Sequence, residues 1–226
     1  MINVVQIGAN VGKSISDAVW VLIEKNGWNG VFVEPHPDSF KELVKYYSQQ
    51  SGQHSMVEAA VVPSEGHCVP GGVKLYFNKA CQDNNEQATL LPNHYNHKNV
   101  DVTYVKPITL RQLFSKFNLI GVEFDLLNID VEGYDGDILI QTNFDDICPK
   151  YIRVETVHMT EEYNEKLTKH LKKWKYEIVD DFFWEEYADH IALMQRKYLR
   201  LDHKHGGHHQ LRATEPKSFN TLYKKG

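Results

Sequence analysis

Two glycines, Gly8 and Gly12, follow the apolar run Val4-Val5-Gln6-Ile7, and the pairing can do something bulkier residues cannot. It turns the backbone tightly at the end of a buried strand and leaves main chain open beside it, where a ligand can lie. The same G-x-x-x-G spacing also serves a close strand-to-helix crossing that binds nothing. A carboxylate about 20 residues beyond such a turn, at the tip of the next strand, can accept the hydroxyls of a ribose. Glu34 occupies that position, which a solvated strand-end acid could equally fill. Further along, Asp130 and Glu132 follow one apolar run, and Glu155 and His158 close another. By their strand-end placement Asp130, Glu132 and His158 can take a proton from an attacking hydroxyl. They also serve as helix caps or structural hydrogen-bond partners. Asp130 and Glu155 together have the donors for a divalent ion, but no spacing in the chain fixes their separation, and the expected site holds no metal.

These residues need a scaffold that brings strand ends together. A strand from about residue 2, a helix over 14–24 capped by Ser14 or Ser16, a strand over 30–34 stopped by Pro35 and Pro37, and a helix over 40–50 opened by Asp38-Ser39 alternate from the start. In the second helix Phe40, Leu43, Val44 and Tyr47 recur at i, i+3, i+4 and i+7. The alternation predicts parallel strands joined by right-handed crossovers. Residues 56–62 read as a third strand ended by Pro63, and 73–77 as another. The polar stretch 79–99, rich in Asn and His, is a candidate lid over the site or a disordered insertion. Then come a helix from 109, a central strand over 124–130, a short helix from about 137, a strand over 151–156 and an amphipathic helix over 161–174. Residues 176–179 and 190–194 are too close for a crossover helix and should pair antiparallel. The count gives an α/β chain with a mostly parallel seven-stranded sheet and one antiparallel strand near the C-terminus. In such a sheet ligands bind outside the carboxyl ends of the strands, near the point where strand order reverses. Gly8, Glu34, Glu58, Asp130 and Glu155 all fall at those ends.

With 226 residues, 42% hydrophobic and 24% charged, the chain can bury one sizeable core. One domain over 1–197 is expected, with an appendage over 198–226 that is rich in His, Lys and Gly and reads as a flexible tail rather than a metal site. The first strand begins too early for a helix before it, so the chain is either minimal or part of a longer polypeptide. A formal net charge of -5 gives no electrostatic reason to expect a nucleic-acid partner, although a local basic patch is compatible with it. Cys68, Cys81 and Cys148 make an odd count with no C-x-x-C pair, which argues for a reducing, cytoplasmic setting. No stretch approaches the roughly 20 apolar residues that span a bilayer, and a soluble protein is expected.

A dinucleotide calls for G-x-G-x-x-G, so that main chain can approach a pyrophosphate at a helix N-terminus. Gly8-Ala9-Asn10-Val11-Gly12 lacks the middle glycine. An adenosine ligand without phosphates is favoured, and S-adenosylmethionine is the common one. The segments Gln6-Ile7-Gly8-Ala9-Asn10-Val11-Gly12, Val33-Glu34-Pro35-His36-Pro37, Glu58-Ala59-Ala60-Val61 and Asn128-Ile129-Asp130-Val131-Glu132-Gly133-Tyr134-Asp135 resemble, in order and spacing, the motifs of the FkbM-type methyltransferases. The resemblance covers about residues 2–197. It implies a class I, Rossmann-like enzyme that moves a methyl group from S-adenosylmethionine to a hydroxyl, and hence a carbohydrate or glycan-type acceptor. It implies that Gly8, Asn10 and Gly12 pack on the methionine part and that Glu34 holds the ribose. The expected cofactor contacts are Gln6, Gly8, Asn10, Gly12, Ser14, Glu34, Pro35, Glu58, Ala59 and Asp130. Gln6 stands where the family commonly carries an acid, and the family's N-terminal helix is missing. For O-methylation the expected catalytic residues are Asp130, Glu132 and His158, with His94, Tyr95 and His97 of the polar loop able to bond and stack on a sugar. Two other functions fit the same residues: a NAD-dependent oxidoreductase using Glu34, and a non-catalytic accessory domain of a longer enzyme.

Overall fold

The computed structural model of the chain describes residues 1–13, 19–78, 88–92, 100–156, 159–179 and 220–226. Strand and helix alternate as β1 (Val4–Ile7), α1 (Val19–Asn26), β2 (Gly30–Glu34), α2 (Pro37–Tyr47) and β3 (His54–Glu58). β1 and β2 are buried along their whole length, as the unbroken apolar runs of an interior parallel sheet require. α2 opens at Pro37, ahead of the expected Asp38-Ser39 start, with the His36 side chain accepting from Ser39 N. Proline suits a first helical position because its missing N–H would be unpaired there anyway. The chain continues as β4 (Ala60–Val62), a 3-10 turn at Glu65–His67, β5 (Val73–Asn78), β6 (Val100–Val105), β7 (Pro107–Thr109) and α3 (Leu110–Lys116). After it come β8 (Glu123–Ile129), α4 (Asp135–Gln141), β9 (Cys148–Glu155), α5 (Glu161–Lys173), β10 (Tyr176–Val179) and β11 (Asn220–Lys225).

Seven of these strands form one sheet in the order β10-β11-β9-β8-β1-β2-β3. β9, β8, β1, β2 and β3 pair in parallel, and β11 runs antiparallel to both β9 and β10. α1 and α2 cover one face through Val19, Leu22, Ile23, Leu43 and Tyr47. α3, α4 and α5 cover the other through Leu113, Phe114, Ile138, Leu139, Leu167 and Leu171. Strand order reverses between β1 and β8, the place where a sheet of this kind offers a crevice above the carboxyl ends of its strands. Among the described residues no helix is long and apolar enough to cross a membrane.

Several expectations change. The stretch read as one strand over 56–62 is two, because at Ala59 the chain leaves the main sheet and β4 pairs with β7, Ala60 opposite Pro107. A continuous apolar run hides such a break. β6 went unread because its sequence is half polar; it pairs antiparallel with β5 from Val73 opposite Val105 to Asn78 opposite Val100. The antiparallel partner of β10 is β11, with Ile178 opposite Tyr223; residues 190–194 lie outside the described residues. A flexible tail therefore does not describe residues 220–225, where the buried pair Leu222-Tyr223 is the short apolar signal that seats them in the sheet. Of the candidate lid, only residues 88–92 are described, and there Thr89 pairs antiparallel with Tyr76.

Candidate active site

β1 ends in a bend in which Gly8 (φ +78), Asn10 (φ +45) and Gly12 (φ +82) all adopt left-handed backbone. A Cβ on Gly8 would lie 1.7 Å from Asp130 O, so the bare glycine is what lets the tips of β1 and β8 close up. Asp130 N donates to Ile7 O at 3.0 Å at the same place. A Cβ on Gly12 would meet the rings of Tyr46 and Tyr47, so this second glycine makes room for α2. The bend's amides are used within the protein: Gly8 N and Ala9 N donate to Val33 O, Gly12 N to Ala9 O, and Asn10 N to Glu34 Oε2 at 2.9 Å. A pyrophosphate cradle needs such donors free. The Asn10 carboxamide oxygen is buried without a hydrogen-bond partner among the described residues, which makes it an open acceptor at the bend.

Glu34 is 6% exposed at the tip of β2, its Oε2 taken by Asn10 N and its Oε1 by His36 N at 2.8 Å. Burial pushes its carboxyl up to about 7, against the pull of the His36 and Asn10 amides. Pro35 follows it, half-buried. Glu58 is exposed beside it in register at the end of β3, and Ala59 is buried where β3 gives way to β4. Phe77 of β5 meets His36 edge-on, ring centroids 4.6 Å apart, so the β5–β6 hairpin touches this end of the crevice.

On the other side of the bend, carboxylate oxygens of Asp130, Glu132 and Glu155 all lie within 4.8 Å of one another. Glu132 is left-handed (φ +57) and Gly133 follows at φ +126. Asp135 holds that turn, its buried carboxylate accepting Val131 N at 2.9 Å and Gly133 N at 3.0 Å. Thr89 Oγ1 donates to Glu132 O at 2.6 Å, tying the strand segment beside β5 to the acids. Burial first, then the charges of Asp130 and Asp135, push the Glu155 carboxyl up to about 9, so it carries its proton at neutral pH. The half-buried trio has the ligand atoms for a cation, and clustered acidic groups are common without one.

Beneath the crevice runs a row of buried polar side chains, Gln6, Asn128 and Arg153, each 1% exposed and neighbours in register across β1, β8 and β9. Arg153 Nη1 donates to Asn128 Oδ1 at 3.1 Å. Interior polar groups persist where hydrogen bonds compensate their lost hydration. Gln6 therefore lies inside the sheet, two residues before the bend.

The structure thus brings Asn10 and Glu34 into direct contact, sets Asp130 against Gly8, and groups Asp130 with Glu132 and Glu155. Gln6, Gly12 and Ala59 face packing partners, and Glu58 faces outward. Ser14 and His158 lie outside the described residues. Sequence reasoning missed Asp135 and Thr89 and gave Glu155 only a metal ligand's role. The signal for Asp135 was an acid two residues after Gly133, within reach of the amides just before it. Thr89 carried none, because its contact joins elements distant in sequence.

A mostly parallel sheet whose reversal point carries a glycine bend bonded to a buried strand-tip acid defines a Rossmann-like α/β protein. The chain belongs to the methyltransferase FkbM domain family, whose model matches residues 6–198. The matched span takes in the bend, Glu34 and the acid trio, and stops short of β11. No curated protein matches the chain closely enough to count as a relative.

Proposed function

We propose that this protein is an S-adenosylmethionine-dependent methyltransferase that methylates a hydroxyl oxygen of a sugar or glycan-type acceptor. The observation that carries the proposal is the contact between Asn10 N and Glu34 Oε2. It joins a ribose-type acid to a bend whose amides at Gly8, Ala9, Asn10 and Gly12 are engaged within the protein, and such a site suits a nucleoside without phosphates. Each Glu34 oxygen keeps a lone pair after accepting its amide, so both can accept ribose hydroxyls. The open Asn10 oxygen suits N–H donors at the amino-acid end of the ligand. Ser14, Pro35, Glu58 and Ala59 complete the proposed cofactor contacts.

When bound, the donor supplies an electrophilic methyl group on a sulfonium. The protein's part is to aim the acceptor oxygen in line with that methyl and to take its proton, and positioning supplies much of the rate. Asp130 and Glu132, at the strand tip beside the bend, accept the hydroxyl and its proton. Glu155, protonated, donates a hydrogen bond into the same group. His158 completes the proposed catalytic set. The acceptor class rests on the family resemblance, supported by carboxylates that bond hydroxyls readily. Cys68 and Cys148 are free thiols, which fits the proposed cytoplasmic setting.

Calorimetric titration with S-adenosylhomocysteine tests the nucleoside site, with binding in the micromolar range or tighter expected and lost in Glu34→Ala. Transfer of a labelled methyl group to a panel of mono- and oligosaccharides tests the acceptor. Binding of NAD with no heat from S-adenosylhomocysteine sinks the proposal in favour of an oxidoreductase, and binding of neither favours an accessory domain.

A further inference from the structure

Positive charge is concentrated toward the C-terminus of this chain. Residues 196–226 hold eight lysines and arginines and two acids, in a chain whose formal net charge is -5. β11 brings the end of that segment back to the sheet beside α5. Tyr223 OH lies 2.9 Å from Thr168 Oγ1, Gly226 N donates to Lys175 O at 2.7 Å, and Lys225 Nζ stands 5.9 Å from the Tyr176 ring. Around that junction Lys169, Lys172, Lys173 and Lys175 are exposed, and no carboxylate of the described residues lies within ion-pair distance of them. A preference for cations at a helix C-terminus accounts for Lys172 and Lys173 but not for Lys169, Lys175 or Lys225.

The lysines sit at the amino-terminal edge of the parallel strands, since Lys225 is in register with Tyr176, the first residue of β10. The acids Glu34, Asp130, Glu132 and Glu155 sit at the opposite, carboxyl-terminal edge. We infer that the lysine-bearing end docks the protein on an anionic lipid surface, with the acid-lined crevice facing water. Lysines place compact charges on flexible stems, which suits a smeared field of headgroups. Among the described residues this group of lysines includes no arginine for bidentate phosphate bonding and no exposed ring for base stacking, which disfavours a nucleic acid. Glu123, Asp145 and Asp146 also lie near Lys225, around Cys148, but Glu123 is paired with Lys150 and Asp146 with Arg111, so the lysines without ion-pair partners among the described residues bias which end the surface attracts. Each lysine within a Debye length of an anionic leaflet strengthens binding about fivefold.

Co-sedimentation of the full chain with vesicles tests this. Vesicles of phosphatidylcholine containing about one third phosphatidylserine should bind it, pure phosphatidylcholine should not, and high salt should release it. Lys169→Glu/Lys172→Glu/Lys173→Glu should weaken the binding about a hundredfold or more with an unchanged circular dichroism spectrum. Should that variant misfold, the corresponding Gln triple, which removes the three charges and adds no repulsion, reads the loss. Equal binding to both vesicle types, or a folded triple variant that binds as the parent does, overturns the inference. Retention on duplex DNA or a sulfated glycan without vesicle binding overturns it in favour of a soluble polyanion.

Discussion

Asn10 N donates to Glu34 Oε2 at 2.9 Å across a sequence separation of 24 residues, so the bend after β1 and the tip of β2 form one rigid unit. Replacing Glu34 by Gln keeps the shape but sets an amide N–H against Asn10 N–H or His36 N–H. We expect Glu34→Gln to weaken S-adenosylhomocysteine binding by about 10- to 100-fold, the usual effect of losing hydrogen bonds to a charged group. Calorimetry on a variant shown by circular dichroism to be folded checks it.

The same residue should make binding depend on pH. A ribose diol is held best by the ionised carboxylate, and burial leaves Glu34 ionising only near 7. Affinity for S-adenosylhomocysteine should rise with pH up to about 7 and then level off, falling about tenfold per pH unit well below that. Titrations at a series of pH values read the profile, which should be flat in Glu34→Gln.

Stability should run the other way. Glu34 and Glu155 both ionise at higher pH in the folded protein than at the ordinary value of 4.5. Their contribution to stability is therefore fully present below 4.5 and is lost as pH rises through about 7 for Glu34 and about 9 for Glu155. The melting temperature of the ligand-free protein should fall across that window. Glu34→Gln should roughly halve the fall between 4.5 and about 7, where Glu155 still loses its own share, and Asp130→Asn, by taking away a neighbouring negative charge, should bring the upper limit down from about 9.

Two glycine substitutions separate close backbone approach from backbone conformation. Gly8→Ala places a methyl 1.7 Å from Asp130 O as well as straining a residue at φ +78, and should cost more than about 3 kcal/mol. Gly71 is also left-handed, at φ +89, but a Cβ there meets nothing within 4 Å, so Gly71→Ala should cost only about 1 kcal/mol. Urea denaturation of both variants reads the difference.

Thr89→Val removes the hydroxyl that donates to Glu132 O and accepts Leu91 N while keeping the side chain's volume. We expect about 1 kcal/mol of lost stability. Hydrogen exchange at Val131 and Gly133 should quicken, because the turn bearing Glu132 loses one of its two anchors.

What the sequence made legible follows from how local each signal was. β2 could be bounded at Glu34 because a proline fences it, and the bend after β1 because two glycines mark it. β8 and its acids stood out as an apolar run ending in charge. The acid trio did not, because the approach of Glu155 to Asp130 depends on β8 and β9 being paired in register, which no spacing records. The packing role of Gly12 was equally hidden, since the tyrosines that fill the space beside it come from α2. β11 escaped because two buried residues in a Lys-rich stretch are too few to show a period.

That last strand has a consequence for how the protein is made. Val154 of β9 has Thr221 as its partner, and the ribosome adds β11 after every other strand of the sheet. Until then the nascent chain carries β9 with one ladder of amides and carbonyls unmatched, flanked by Ile152 and Val154. Chaperones that grip extended apolar backbone have their longest opportunity during that interval.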